Sequence, residues 1–343
     1  MQASNLIRAV CPARVGLVGN PSDGFFGKTI SATVHNWSAK VVLWESPELV
    51  IEANPNHDPR TFGSLGELHA TAAREGYYGG VRLLYATCKR FYEECLSRGL
   101  LLSEANFTVR YGTNIPRGLG LAGSSAIVTA TVRALMDFYG VTEEQIGRAQ
   151  LPNLVLSVET RELSLTAGLQ DRVVQVYGGA VYMDFAQERM ARDGHGLYVP
   201  VDLDLLPPLF IALVNDPSDS SGIHSPVRVR WERGDPEVRA AMIEFASYAE
   251  AGRAALEQHD AERLGELMNA NFDLRRRLYG DEALGPANLK MVELARGGGA
   301  PATFCGSGGA IVGIYDDDRH FDELAASFAA HGFALHKARL RNV

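Results

Sequence analysis

The sequence predicts an α+β protein built from two parts. Short apolar segments of strand length alternate with segments whose apolar residues recur at helical spacing, and no strict βαβ repeat is present. This pattern favours an antiparallel or mixed sheet in each part. The chain has 343 residues, and at roughly 150 residues per domain this length favours two domains or two packed halves.

The first half of the chain is predicted to hold most of the strands around three or four helices. Strands are predicted over residues 14–18, 39–43, 49–53, 107–110 and 178–185 from apolar runs of strand length. Ser64 and Glu67 form a capping box that opens a short helix, and Thr142 and Gln145 form another that opens a helix towards Glu159. Further helices are predicted over residues 80–96 and 124–139.

The second half is predicted to begin with a buried strand over residues 209–214, followed by a polar loop. Asp235 followed by Pro236 is typical of a helix start, with a cap and then proline at the first helical position. Helices are then expected to residue 255 and over 261–274, 286–296 and 318–331, with strands over 302–305, 310–315 and 333–339.

Composition and charge exclude several classes of protein. The formal net charge is −8 and 46% of residues are hydrophobic, values typical of a globular protein with a sizeable core. No apolar run approaches the roughly 18 residues that a membrane helix needs, and the N-terminus lacks the pattern of a secretory signal. No long basic stretch supports nucleic-acid binding, and the RRR run at 275–277 is expected to lie on a solvated or partner-facing helix side. We therefore expect a cytoplasmic protein whose four scattered cysteines are reduced.

A glycine-rich loop that leads directly into a predicted helix is the most informative segment. It reads PRGLGLAGSSA and comprises Pro116, Arg117, Gly118, Leu119, Gly120, Leu121, Ala122, Gly123, Ser124, Ser125 and Ala126. The glycines let the backbone approach a ligand closely, and the free N–H groups at the helix start favour a phosphate. The loop therefore indicates an anion cradle. A glycine-rich connector with a serine cap is the structural alternative.

Other phosphate-binding and catalytic patterns fit poorly. The same glycines spell GxGxxG, but Pro116 interrupts the approach, and Asp137, the nearest acidic candidate, lies on the predicted helix itself. No GK[ST] follows the loop, as a Walker A motif requires. The nine histidines show no HExxH pattern, and neither Ser124 nor Ser125 lies in a GxSxG elbow, so zinc and hydrolase chemistry are poorly supported.

The loop resembles the phosphate loop of the GHMP kinases, the superfamily of galactokinase, homoserine kinase, mevalonate kinase and phosphomevalonate kinase. Two further motifs match in order: ARVGLVGNPSD at residues 13–23 resembles the substrate motif, and TFCGSGGA at 303–310 resembles the C-terminal glycine-rich motif. Within the superfamily the sequence is most similar to the plant-type glucuronokinases. The segments that carry this similarity are GNPSD, EGYYGGVRLL, TNIPRGLGLAGSSAIV, AGLQDRVVQVYGG, GHGLY, NFDLRRR and GSGGA.

The resemblance implies a GHMP kinase fold in two domains. Residues 1–200 would form an N-terminal domain like ribosomal protein S5 domain 2, and residues 201–343 a ferredoxin-like C-terminal domain. It also implies an ATP-dependent sugar-1-kinase that converts D-glucuronate to D-glucuronate 1-phosphate for UDP-glucuronate synthesis, with Mg²⁺. The alternatives are a GHMP kinase for galacturonate, a neutral sugar or a heptose phosphate, and a non-catalytic sugar and ATP sensor, which would be expected to lose Asp171.

The resemblance also assigns roles to individual residues. Asp171 matches the catalytic aspartate, and Arg14 the arginine that helps to organise the reacting hydroxyl. Ser125 and Glu159 match the Mg²⁺ positions, and an oxygen-only pair of this kind suits Mg²⁺. The substrate positions are Asp23, Lys28, Arg172, Gly306 and Gly308. Lys28 and Arg172 are candidates to pair with the substrate carboxylate. The structural alternative is that Lys28 is solvated and Arg172 anchors its own loop. If neither pairs with the carboxylate, the next candidates are Arg228, Arg230 and His224.

Overall fold

The computed structural model describes residues 6–75, 79–215 and 227–342. Residues 76–78 of the EGYYGG segment and His224 lie outside the described residues. The strands are β1 (Ile7–Val18), β2 (Lys28–Glu45), β3 (Val50–Glu52), β4 (Phe107–Thr113), β5 (Ala180–Asp184), β6 (Leu197–Val201), β7 (Leu209–Leu213), β8 (Ala302–Phe304), β9 (Ala310–Ile314) and β10 (Ala334–Lys337).

The helices lie between these strands in chain order. They are α1 (Leu65–Glu75), α2 (Val81–Ser97), α3 (Gly123–Tyr139), α4 (Glu143–Ile146), α5 (Leu151–Ser157), α6 (Gln170–Tyr177), α7 (Gln187–Asp193), α8 (Val227–Glu232), α9 (Pro236–Glu257), α10 (Ala261–Tyr279), α11 (Asp281–Leu284), α12 (Pro286–Gly297) and α13 (Asp318–Ala330). The predicted α+β class is confirmed.

Two compact units interleave along the chain. The first comprises Met1–Pro12, Trp37–Ile115 and Gly123–Val176, and the second comprises Ala13–Asn36, Pro116–Ala122 and Tyr177–Val343. The division expected at residue 200 stays a prediction.

The first unit has a mixed sheet. The C-terminal part of β2 pairs antiparallel with β4, and β3 pairs parallel with β4. All residues of α3 from Ser125 to Val132 are buried, so this part of the helix is enclosed on all sides. The single helix predicted from Thr142 to Glu159 is wrong in its continuity, because Gly147 at φ 87° separates α4 from α5. Residues Val158–Glu162 then form one wider π turn, which carries Glu159.

The second unit has antiparallel strands. β10, β7, β9 and β8 form a four-stranded sheet in that order, and β5 pairs with both the first part of β2 and β6. A hydrophobic cluster joins Phe25 to residues of α9 and α10, including Phe245 and Leu274. Trp231 packs edge-on against Phe25 at 5.2 Å between ring centroids. The turn that contains Asp23 is thereby fixed to the helices of its own unit.

Candidate active site

Arg14 joins two of the predicted motifs within the second unit. Arg14 is only 4% exposed. Its Nη1 donates to Gly120 O at 3.1 Å and to Cys305 O. The Arg14 backbone N–H also donates to Leu121 O at 3.2 Å. Because guanidinium bonds to carbonyls are charge-assisted, Arg14 holds the phosphate loop beside the C-terminal glycine-rich motif.

Gly120 and the C-terminal motif approach each other backbone to backbone. Gly120 has φ +63°, and a Cβ built on it would lie 2.8 Å from Ser307 N and 2.9 Å from Gly308 O. A Cβ on Gly306 would lie 2.4 Å from Gly120 O. Only glycine allows both the left-handed conformation and this approach, so the motifs form one continuous backbone surface in the second unit.

The remaining residues of the glycine-rich loop lead along the chain to α3. Gly118 has φ 77° and Ala122 has φ 62°, so the backbone turns sharply before α3 begins. Ser125 is fully buried in the first turn of this 17-residue helix. Ser125 thus adds a hydroxyl to the N–H groups at the start of α3 in the first unit. Pro116, Arg117, Leu119, Leu121, Gly123, Ser124 and Ala126 complete the predicted segment.

A buried ion-pair network links three predicted site residues in the first unit. Arg172 Nη2 donates to Glu159 Oε2, and both side chains are 4% exposed. Arg172 Nη1 lies 3.3 Å from Asp171 Oδ2 and donates to Gly168 O at 3.0 Å. Asp171 lies in the first turn of α6 and its side chain is 21% exposed. Arg172 therefore holds the predicted metal ligand and the predicted base in one cluster.

The donor chemistry of this unit fits a magnesium ion. Ser125 and Glu159 supply a hydroxyl and a carboxylate, the hard oxygen donors that Mg²⁺ takes alongside water and phosphate. Both residues are buried. Across the described ranges, no group of three or more His, Cys, Asp and Glu side chains is placed to hold a metal ion.

Lys28 is already paired with acidic residues of the second unit. Its Nζ contacts Glu250 Oε1 and lies 3.6 Å from Asp184 Oδ2. Partial burial lowers the Lys28 pKa, but the hydrogen bond that Lys28 donates to Glu250 and the nearby charges outweigh this effect and hold the pKa above its usual value. A substrate carboxylate at Lys28 would have to compete with these two resident carboxylates.

Two residues of α10 were missed as site candidates. Asn271 accepts from Gly19 N at 2.7 Å and donates to Asn20 O at 3.0 Å, which fixes the substrate motif to the helix. Arg275 lies one turn later and is 5% exposed, so the solvated position predicted for the RRR run is wrong for this residue. The spacing of four between Asn271 and Arg275 places them on one helix face, a signal present in NFDLR.

Comparisons with known proteins identify the family. The GHMP kinases N terminal domain model matches residues 82–179, and the GHMP kinases C terminal model matches residues 253–334. Glucuronokinase 1 of Arabidopsis thaliana is 52% identical over 91% of this chain and 85% of its own length. Probable glucuronokinase 2 of the same plant is 52% identical over 88% of this chain and 82% of its own length.

Solved structures agree with this fold. Lactococcus lactis galactokinase in complex with galactose superposes with a TM-score of 0.71 at 16% identity, covering 98% of this chain and 94% of its own. A mevalonate kinase superposes with a TM-score of 0.69 at 17% identity, covering 98% and 100%. The predicted GHMP kinase fold is confirmed, and the chain belongs to the GHMP kinase family.

Proposed function

We propose that this GHMP kinase is an ATP-dependent sugar-1-kinase that converts D-glucuronate and ATP into D-glucuronate 1-phosphate and ADP. The 52% identity with glucuronokinase 1 over 91% of the chain is the observation that carries this substrate. The product is an activated sugar phosphate suited to UDP-glucuronate synthesis. The partners are therefore small molecules.

The chemical step is a transfer of the γ-phosphoryl group to the anomeric hydroxyl. Asp171 accepts the hydroxyl proton as the sugar oxygen forms its bond to the γ-phosphorus, while the bond from that phosphorus to the β,γ-bridging oxygen breaks. The Asp171 carboxylate is partly exposed and is held by Arg172 at 3.3 Å. This contact restrains the orientation of the carboxylate.

The phosphate loop supplies the nucleotide cradle. Residues 116–126 present backbone N–H groups to the phosphates, and Arg14 keeps the loop in place through Gly120 O. Ser125 and Glu159 would hold Mg²⁺, whose charge offsets that of the β- and γ-phosphates. Arg172 restrains Glu159 in the first unit.

The sugar is assigned to a separate set of residues. Asp23 lies in the Ser22–Phe25 turn, where its carboxylate binds sugar hydroxyls. Gly306 and Gly308 offer backbone groups of the C-terminal motif. The sequence predicted Lys28 or Arg172 as the cation that pairs with the substrate carboxylate. Each of these two cations has resident acidic partners, so their substrate role requires exchange of a partner.

The organisation and location of the protein follow the same proposal. The N-terminal kinase domain spans residues 1–200 and the C-terminal domain spans 201–343. Among the described residues, no helix is both long and apolar enough to cross a membrane. We place the enzyme in the cytoplasm, where ATP is available.

A substrate panel tests this function. ADP release with Mg²⁺ and ATP is measured for glucuronate, galacturonate, glucose, galactose and a heptose phosphate, with Asp171→Asn as the inactive control. Glucuronate should give the largest kcat/KM. A larger value for another sugar would assign a different GHMP sugar kinase, and binding of sugar and ATP without turnover would indicate a sensor.

A further inference from the structure

The second unit contains a buried guanidinium with incomplete neutralisation beside the substrate motif. Arg275 lies on α10, one turn after Asn271, which binds the backbone of residues 19 and 20. Burial lowers the Arg275 pKa, and nearby Arg14 lowers it further, whereas Tyr279 and Asp23 act in the opposite direction. Such a cation is costly without an anionic partner.

The surroundings of Arg275 leave one edge of its guanidinium unengaged. The Arg275 Cζ atom lies 4.9 Å from the Phe304 ring centroid and 5.4 Å from that of Tyr279. Nη1 donates to Gly306 O at 2.8 Å. Over the described ranges of the chain, the buried Nε has no hydrogen-bond partner, and no ion pair neutralises the side chain. The Nε and Nη2 edge is the geometry that binds a carboxylate through two parallel bonds.

Three of the other candidate cations differ from Arg275 because each is paired with a carboxylate. Lys28 contacts Glu250, and Arg172 contacts Glu159 and Asp171. Arg230 pairs with Asp235 at 2.7 Å and with Glu237. These cations already have carboxylate partners, so a substrate carboxylate would gain less from them than from Arg275.

We propose that Arg275 binds the C6 carboxylate of the sugar substrate through its Nε and Nη2 edge and thereby selects uronates over neutral sugars. This inference rests on the proposed function. Arg275 also donates to Gly306 O. The residue that binds the carboxylate therefore also holds the glycine-rich motif.

Arg275→Met is compared with Arg276→Met as the matched control. Arg276 is the next residue of the same RRR run, but its side chain is 43% exposed and pairs with Asp281 at the surface. Steady-state kinetics are measured with D-glucuronate and with D-glucuronamide, whose C6 group is uncharged. Arg275→Met should lower kcat/KM for glucuronate by about 30-fold or more and change glucuronamide much less. Arg276→Met should leave both values near wild type.

Several outcomes separate this proposal from its rivals. If Arg275→Met lowers kcat/KM for both substrates in parallel, or raises only the KM for ATP, Arg275 is structural or reads phosphate, and the proposal is wrong. The same conclusion follows if Arg228→Met, which removes the exposed guanidinium 4.6 Å from the Phe25 ring centroid, abolishes the preference instead. Wild-type enzyme inactive on glucuronate would refute the proposed function itself.

Folding is followed by circular dichroism and thermal unfolding. If Arg275→Met does not fold, Arg275→Lys should fold, bind glucuronate by calorimetry more weakly than wild type, and retain part of the preference over glucuronamide. Failure of both variants to fold would assign Arg275 a structural role and overturn the proposal.

Discussion

Replacing Gly120 by alanine tests whether the two glycine motifs pack as the structure shows. At φ +63° an alanine pays about 1–2 kcal/mol for the left-handed conformation, offset by about 0.4–1 kcal/mol of lost unfolded-state entropy. Its Cβ would also lie within 2.9 Å of the backbone at Ser307 and Gly308, and overpacking of this kind costs about 1–3 kcal/mol. The expected loss of unfolding free energy is therefore about 1–5 kcal/mol.

Gly140→Ala is the matched control for this prediction. Gly140 has φ +67°, but a Cβ there would meet nothing within 4 Å, so only the strain and entropy terms apply and the net loss should be about 1 kcal/mol or less. Urea unfolding measures stability, and kcat/KM for ATP measures the cradle. Gly120→Ala should also lower kcat/KM for ATP by about 100-fold, because its loop would be displaced. Equal stability and kinetics for the two variants would refute the packing argument.

Three further predictions follow from the site and the core. Asp171→Asn should lower kcat by about 1000-fold, roughly 4 kcal/mol, with ATP binding retained by calorimetry; near-normal turnover would exclude Asp171 as the base. Arg172→Met should lower the free energy of unfolding by about 3–5 kcal/mol, because Glu159 would be buried without its partner. Urea unfolding of Arg172→Met and of the control Arg172→Lys checks this, and an unchanged free energy of unfolding in Arg172→Met would contradict it. Burial raises the pKa of the Cys11 thiol from its ordinary value to about 12, so the folded state retains a proton that the unfolded state loses. The free energy of unfolding should therefore fall as pH rises from about 9 towards 12. Cys11→Ala should flatten that slope in urea unfolding, and an unchanged slope would contradict this prediction.

Some elements could be predicted because their local signals were sufficient. Asp235 caps α9 by accepting from the backbone of Glu237 and Val238, as the Asp-Pro pair indicates. The first part of β2 was missed although residues 29–34 alternate polar and apolar side chains, the pattern of a half-buried strand. In the structure the polar positions Thr29, Ser31 and Thr33 are buried as well, so the strand is covered on both faces, which the pattern does not indicate.

In the site, too, the local motifs could be predicted from the sequence, whereas the contacts between distant residues could not. The glycine-rich loop is evident from its glycines and serines, and the order of motifs carries the family resemblance. The ion pairing of Arg172 with Glu159 and the burial of Arg275 depend on contacts set by the folded chain. The three arginines at 275–277 are chemically alike in the sequence, and only the packing of α10 distinguishes them.

The position of the new phosphate on the sugar shows whether the enzyme is a glucuronate 1-kinase. After reaction of wild-type enzyme with Mg²⁺, ATP and D-glucuronate, the product is examined by ³¹P and ¹H NMR. The phosphorus signal should couple to the anomeric proton, which identifies D-glucuronate 1-phosphate. Coupling to another sugar proton, or the absence of a sugar phosphate while a different sugar is phosphorylated, would contradict the assignment.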